Sequence, residues 1–367
     1  MGGTSGSDKH VALSTQEGTA KASIIQGFAN EALLDADPIP MKVFRGLPNA
    51  ASRAPCALTI GNFDGVHRGH QALLNQVSSA ASRLALESAV MTFEPHPREY
   101  FAQLHGDPAS APSRIANLRD KLRSLATAGI DRVIVEHFNA QFAALSPEAF
   151  IEDILVAGLH VKWLMIGEDF CFGTRRAGTV AMLIEAGQRY GFTVETMPTV
   201  QHDGKRISSS AIRTTLRNGD FAEAAHMLGH PYAISGHVIH GKKLGRMIGF
   251  PTLNLAVAHK HPALSGIFVV QVHGLTDAPL PAVASIGVRP TVDDNGRVLL
   301  ETHLFDFSGD CYGKLIQVEF LKKLRDEEKY IDVPTLTAAI ARDAGQAREY
   351  FRRSDVTATA PATADRI

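Results

Sequence analysis

Cysteine is scarce in this 367-residue chain. The three present, Cys56, Cys171 and Cys311, are odd in number and far apart, which excludes a disulfide framework and leaves no paired spacing for zinc. That usage suits a reducing compartment, and a cytoplasmic protein is expected. No apolar run approaches the roughly 18 residues a membrane-spanning helix needs, and the first residues lack the charged, apolar and small-residue succession of a secretion signal. No membrane or export role is expected. An excess of one charge is missing too, since 37 Lys and Arg stand against 38 Asp and Glu. Such a balance gives no basic surface for many phosphate contacts along a duplex, so no nucleic-acid partner is expected, while small phosphorylated ligands remain compatible. Neither a Gly-x-x-x-x-Gly-Lys-Ser/Thr segment nor a His-Glu-x-x-His segment occurs, so a P-loop and a helical zinc pair are both excluded. Internal repeats and long charge blocks are also absent.

What is there reads as two folded units. At 45% hydrophobic and 20% charged the composition is that of an ordinary globular protein, and the length exceeds what one core usually organises. Residues 1–40, rich in Gly, Ser, Thr and Ala, read as a disordered extension. From Met41 onward, apolar β-rich runs at Ala57–Ile60, Ala89–Phe93, Arg132–Val135, Trp163–Ile166 and Thr193–Thr196 alternate with helical patterns. The helices are expected over Gln71–Leu86, Ser113–Ala128, Pro147–Leu155 behind a Ser146 cap, and Thr179–Tyr190. Strand-helix repetition of this kind predicts a doubly wound α/β domain over 41–229. Two further helices, after Ser209 and from Asp220 to Leu228, precede Gly229 and Pro231. Beyond residue 230 short alternating runs, Phe268–Val272, Ala282–Ile286, Leu299–Phe305 and Leu315–Phe320, predict antiparallel strands of a small barrel. A last helix is expected from Val333-Pro334 to about Arg352, with 354–367 a frayed tail.

Two segments carry chemistry. Gly65-Val66-His67-Arg68-Gly69-His70 follows a strand and precedes a helix, an order that places backbone N–H groups and two imidazoles, neighbours at i, i+3, beyond the strand's end. A triphosphate fits there, as do the plainer readings of a helix cap or a surface pair. The second segment runs from Gly236 through Gly241, Gly245-Arg246 and Gly249 to Phe250-Pro251-Thr252-Leu253-Asn254-Leu255. Glycines four apart permit close backbone approach or a mobile turn. Thr252 and Asn254, two apart on extended chain, send their oxygens to one side, where a magnesium ion could take both or a polar strand face could simply meet water.

The run Gly61-Asn62-Phe63-Asp64-Gly65-Val66-His67-Arg68-Gly69-His70 resembles the start of the nucleotidyltransferases, and specifically the bacterial bifunctional riboflavin kinase/FMN adenylyltransferases. Thr92-Phe93-Glu94-Pro95-His96-Pro97, Gly167-Glu168-Asp169-Phe170-Cys171-Phe172-Gly173 and Ile207-Ser208-Ser209-Ser210-Ala211-Ile212-Arg213 agree with it in order. So do Gly236–Leu255, Ala284–Thr291, Leu300–Phe307, Asp310–Gly313 and Leu324-Arg325-Asp326-Glu327 in the second half. The resemblance covers roughly residues 41–353. It implies a Rossmann-like adenylyltransferase domain followed by a six-stranded riboflavin-kinase barrel over 230–353.

It further implies that His67, His70, Ser208, Ser209 and Arg213 surround the ATP phosphates, with Gly61, Asn62, Phe63, Asp64, Gly69 and Asp169 completing the nucleotide site. Phe93, Pro95, His96 and Pro97 would form the flavin side. In the barrel, Gly241, Gly245, Arg246 and Gly249 would cradle the second nucleotide, Thr252 and Asn254 its Mg²⁺, and Glu301 would be the catalytic base, with Arg325 near the flavin. Asp169 departs from the family, which often has Asn there, and Ser285 stands where Asn is common. The partners implied are riboflavin, FMN, FAD and ATP, with any homo-oligomer weak or transient. Two rivals are a nucleotidyltransferase with another phosphate acceptor and a catalytically silent flavin-binding regulator.

Overall fold

The computed structural model describes Ser23–Ile24 and residues 41–198, 201–202, 205–241, 244–257, 262–287 and 298–359. Its first unit contains β1 (Ser23–Ile24), β2 (Lys42–Arg45), β3 (Cys56–Ile60), α1 (Arg68–Leu84), β4 (Glu87–Glu94), α2 (Pro97–Leu104), α3 (Leu118–Thr127) and β5 (Arg132–His137). Then come α4 (Ala140–Ala143), α5 (Pro147–Ala149), a π-helix over Phe150–Gly158, β6 (Val161–Gly167), α6 (Val180–Tyr190) and β7 (Thr193–Met197). A small pair, β8 (Gln201–His202) and β9 (Lys205–Arg206), leads to α7 (Ser209–Asn218) and α8 (Phe221–Leu228).

The sheet order is β1-β2-β5-β4-β3-β6-β7, parallel except for β1. All five residues of β3 are buried, as a central strand covered on both faces requires. From β3 the chain winds one way through β4 and β5, then returns to lay β6 and β7 on the other side. A crevice therefore opens beyond the carboxyl ends of β3 and β6, the place where doubly wound sheets bind ligands.

Several expectations need correcting. Ser23–Ile24 pairs with β2, so part of the extension is strand; the rest of residues 1–40 lies outside the described residues. Helix α1 begins at Arg68 rather than Gln71, because the His67 side chain accepts the His70 N–H and caps it. Helix α3 starts at Leu118, not near Ser113: Asn117 caps it, and the N–H groups of Ile115 and Ala116 donate to Asp64 instead of entering a helix. The Ser146 cap is present, but the helix behind it passes into π geometry at Phe150.

The second unit is a closed antiparallel barrel in the order β10-β11-β14-β13-β12-β15, formed by β10 (Ala233–Ile239), β11 (Leu253–Val257), β12 (Gly266–His273), β13 (Leu280–Ile286), β14 (Val298–Leu304) and β15 (Leu315–Arg325). A short helix, α9 (Leu244–Met247), lies between β10 and β11, and α10 (Val333–Thr359) packs Ala344 and Ala347 against the outside of the barrel with Val269 and Val283. Helix α10 thus extends past Arg352 into the expected tail, whose residues 360–367 are outside the described set.

Between the units the packing is continuous. Ile212 and Leu216 of α7 and Phe221, Ala224 and Leu228 of α8 share one apolar cluster with barrel residues such as Phe268, Val318 and Phe320. Polar contacts add direction: Asp120 accepts from the N–H of Ser235 at 3.1 Å and from its hydroxyl, while Asn117 donates to the Ser235 carbonyl at 2.9 Å. Truncating Asp120 strands two buried donors. Asp120→Ala is therefore expected to lower the unfolding free energy by about 1–3 kcal/mol. Denaturant unfolding measures this, and an unchanged midpoint would show that the contact contributes nothing.

Candidate active sites

The loop leaving β3 turns by adopting positive φ at Phe63 (47°), Gly65 (83°) and Val66 (37°). The apolar rings and branches of Phe63 and Val66 are 1% exposed, so burial offsets the backbone strain. At Gly65 a Cβ would meet Ile115 Cγ2 at 2.7 Å, which fixes glycine there. This turn delivers His67 as the cap of α1, its Nδ1 accepting from His70 N at 3.3 Å. Its ring proton must then sit on Nε2. The two imidazoles stack, with centroids 3.7 Å apart and planes 14° from parallel. Burial pushes His67 down to about 4 from an ordinary 6.5, partly opposed by Asp64. His70 is lowered well below that ordinary value by burial first, then by His67 and Lys121. Both are neutral at pH 7 and so offer N–H donors without charge. Two buried atoms in this region, Asn62 Oδ1 and His70 Nδ1, have no hydrogen-bond partner, as expected where a polar ligand binds.

Beneath the loop lies Asp64, 1% exposed. Its carboxylate accepts from Ile115 N (3.1 Å), Ala116 N (3.1 Å) and Arg213 Nη2 (2.6 Å), while Arg213 Nε donates to the Ser113 carbonyl at 2.5 Å. Part of the Arg213 fork is thereby committed within the protein. Ser208 caps α7 through Ala211 N, and Ser209 donates its hydroxyl to the Asp64 carbonyl at 3.2 Å. All these residues except Ala211, Ile115, Ala116 and Ser113 line one cleft of about 980 Å³.

The same cleft takes in Gly61, Asn62, Phe63, Gly69, Phe93, His96, Pro97 and Asp169. His96 is a buried cap for α2, accepting from Arg98 N at 3.0 Å. Burial, then Arg114, lowers it to about 4. Pro95, expected on the flavin side, is not among the lining residues. Asp169 is largely exposed and meets Arg206 Nη2 at 3.4 Å. Sequence reading missed an aromatic wall: Phe93, Phe101, Phe138 and Phe142 all line the cleft, with Phe138 5.8 Å from Phe93, 5.8 Å from Phe101 and 5.7 Å from Phe142. Phe138 and Phe142 stand four apart directly after β5, a spacing and position that could have marked them.

In the barrel the register assembles the second group. Leu253, Leu255 and Leu300 point into the core, so the alternating Asn254 and Glu301, which face each other across β11 and β14, lie on the outside. Ser285 of β13 is the other cross-strand neighbour of Glu301 and extends the row. Thr252 precedes β11 rather than belonging to it. A Cβ at Gly241 would collide with the Asn254 amide, and one at Gly245 would strike the Phe250 carbonyl and come within 3.6 Å of Thr252 Oγ1. Both glycines thus press backbone close to the Thr252–Asn254 edge. Gly249, at φ 87°, closes the turn after α9, which exposes Arg246. Arg325, on the last position of β15, binds Asp343 through Nε and Nη2 at 3.0 and 2.6 Å, fastening α10 to β15.

Comparison with known proteins agrees with this division. A family model described as FAD synthetase matches residues 49–211, and one described as riboflavin kinase matches 228–351. The chain is 47% identical over 314 residues to the bifunctional riboflavin kinase/FMN adenylyltransferase of Escherichia coli (strain K12), covering 85% of this chain and 98% of that one. The Haemophilus influenzae protein of the same description is 46% identical, with 85% and 99% covered. Among solved structures, a Streptococcus pneumoniae protein described as a macrolide-efflux protein superposes with a TM-score of 0.62 at 30% identity, covering 80% of this chain and 94% of that one. Among the described residues no helix is long and apolar enough to cross a membrane.

The depressed histidines make stability depend on pH. Below the ordinary 6.5 the unfolded chain binds protons that the buried rings refuse, so stability is expected to fall from about pH 6.5 towards about 4. His67→Asn keeps a capping side chain while removing one titrating group. Urea unfolding at pH 7, 6 and 5 should then show a dependence shallower by up to about 1.4 kcal/mol per pH unit. An identical slope would contradict the buried neutral imidazole.

Proposed function

Because the chain belongs to the bifunctional riboflavin kinase/FMN adenylyltransferases, which it matches over 85% of its length, we propose that its two reactions run at the two residue groups above. The enzyme phosphorylates riboflavin to FMN and adenylylates FMN to FAD, consuming ATP in both steps and releasing pyrophosphate in the second. We place the adenylyl transfer in the His67/His70 cleft, in a domain ending near residue 229. The phosphorylation we place on the outer row of the barrel that follows it.

In the cleft, an FMN phosphate oxygen attacks the α-phosphorus of ATP, and the bond from that phosphorus to the pyrophosphate oxygen breaks. Negative charge builds on the bridging and non-bridging oxygens. The Nε2–H of His67 and the neutral ring of His70 donate to it at no charge cost, and such a donor is worth about 3–4 kcal/mol. Gly61, Gly69, Ser208, Ser209 and Arg213 hold the rest of the triphosphate. Phe93, His96 and Pro97, joined by Phe101, Phe138 and Phe142, offer the apolar faces on which a flavin ring stacks. The observation that carries this placement is the pair of partnerless buried atoms, Asn62 Oδ1 and His70 Nδ1, in a cleft of ligand size.

On the barrel, the riboflavin 5′-hydroxyl attacks the γ-phosphorus of ATP, ADP leaves, and Glu301 accepts the hydroxyl proton as the transfer proceeds. Among the described residues no three His, Cys, Asp or Glu side chains gather into a metal site. The hydroxyl and amide oxygens of Thr252 and Asn254 suit a hard cation that arrives on the nucleotide, so they would hold Mg²⁺. When bound, that ion neutralises developing charge on the phosphates. The glycines at 241 and 245 admit the phosphates beside this edge.

Separate chemistry predicts separable loss. Glu301→Ala is expected to slow FMN formation by about 10²–10⁴-fold while FAD formation from supplied FMN persists. His70→Ala should do the reverse, by about 10²–10³-fold. Chromatography of flavins after incubation with riboflavin or FMN and MgATP reads both, and joint loss in either variant would refute independent sites.

A further inference from the structure

Lys121 is a fully buried ammonium that neither reaction, as placed above, uses. Its residue is 1% exposed on α3, and it does not line the cleft. Burying an ammonium without a carboxylate partner is costly, so a lysine kept here calls for a reason. The nearby carboxylates are already engaged: Arg114 binds Glu94 at 2.9 Å and Glu99 at 2.5 Å, and Arg213 binds Asp64 at 2.6 Å. Among the described residues no ion pair reaches Lys121. Instead Nζ donates to Thr92 Oγ1 at 3.2 Å, and that hydroxyl donates on to the Asn62 carbonyl at 3.2 Å. Asn62 is the loop residue whose side-chain oxygen lacks a partner, and His70, also short of one, feels the ammonium's field.

We propose that Lys121 is a positioning residue for adenylyl transfer: acting through Thr92, it pins the backbone of the Gly61–His67 loop at Asn62 and sets a positive charge beneath the bed that receives the triphosphate. The proposal rests on the placement of that reaction in the His67/His70 cleft. It explains why α3 carries a lysine where Leu or Met would fill the space without a burial penalty. In low dielectric a fixed charge close to the phosphates acts without reorganising.

Lys121→Met and Thr92→Val, made in the full chain, test the relay and the charge separately. Both are expected to raise the KM for ATP or lower kcat/KM at least tenfold in FAD formation from FMN. FMN formation from riboflavin by the same preparations should stay within twofold, which also shows that the protein has folded. A pH profile adds a readout that packing alone would not move. The groups facing Lys121 are Glu94, His96 and Glu99 on one side, Arg114 on another, and Asp64 and His70 in the loop; burial leaves its ammonium at about 8 rather than 10.5. Between about 8 and 10.5 the unfolded chain binds the extra proton, so this group's contribution to stability rises with pH. Adenylyl transfer should fall in the same range, and Lys121→Arg should carry activity to higher pH.

Wild-type KM, kcat and pH profile in Lys121→Met, beside a His70→Ala control that has lost FAD formation, would overturn the proposal and spare the site. Wild-type kinetics in Thr92→Val would overturn it as well, even if Lys121→Met fails to fold. Equal loss of both activities in the two variants would show a structural role only and also overturn it. An active His70→Ala would instead remove the placement on which the proposal rests.

Discussion

The cleft proposed for adenylyl transfer hangs on one buried carboxylate. Asp64 sits in a loop that must turn through three positive-φ residues in four positions, Phe63, Gly65 and Val66, before it can present His67. An isolated carboxylate at that depth would be prohibitive. It is tolerated because two backbone N–H groups from the 113–116 segment and the Arg213 guanidinium converge on it. The same bonds stop residues 113–116 from becoming helix and tie α7 to the end of β3. They also place Ser209 over the Asp64 carbonyl. Three stretches remote in sequence, near residues 64, 115 and 210, are thus one piece of structure. Its geometry follows from satisfying a single charge.

That coupling explains how much could be read beforehand. The parallel strands were legible because a strand buried on both faces is a plain apolar run, and β3, β4, β5 and β6 each carry one. Helix ends set by local chemistry were legible too, as at Ser146, Thr179 and Asp220. The start of α3 was not, because its first turn is diverted by a carboxylate fifty residues away. In the site, His67 and His70 were legible because both belong to one short motif. Phe138 and Phe142 stayed hidden: nothing local says that the turn after β5 faces the turn after β3 until the strand order is known. The Asn254–Glu301–Ser285 row depended on register across three strands, which no single strand encodes. Only the resemblance of the surrounding motifs pointed to Glu301 in advance.

Helix α3 has an unusual position between the units. Asn117 and Asp120 hold Ser235 at the first barrel strand, while Lys121, one residue on, turns inward to Thr92 beneath the Gly61–His67 loop. The apolar cluster that α7 and α8 share with the barrel runs across the change of fold near residue 230. Sequence patterning divides the chain cleanly there, since periodicity switches from βα repeats to short alternating strands. The packing does not divide. The two units differ in architecture yet bury part of one continuous apolar surface, so the barrel contributes to the stability of the domain whose cleft it never enters.

Continuity of packing is nevertheless not continuity of the ligand path. Every residue lining the cleft precedes Thr214, and all of them come from the first unit. The row around Glu301 lies on the outer face of a closed barrel, whose interior is filled by residues such as Leu255, Phe268, Leu300 and Phe320. A barrel so packed offers no route through itself. On this placement FMN made at Glu301 has to leave one surface and enter the other from solvent or along the exterior, carrying a phosphate that the barrel has just added. The cleft meets that incoming anion with neutral imidazoles and with arginines, Arg213 partly committed to Asp64 and Arg98, Arg175, Arg176 and Arg206 also on its lining, so aimed N–H donors and positive charge act together. Such donors act strongly only once water is excluded, and with a flavin ring stacked as proposed the wall of Phe93, Phe101, Phe138 and Phe142 would exclude it.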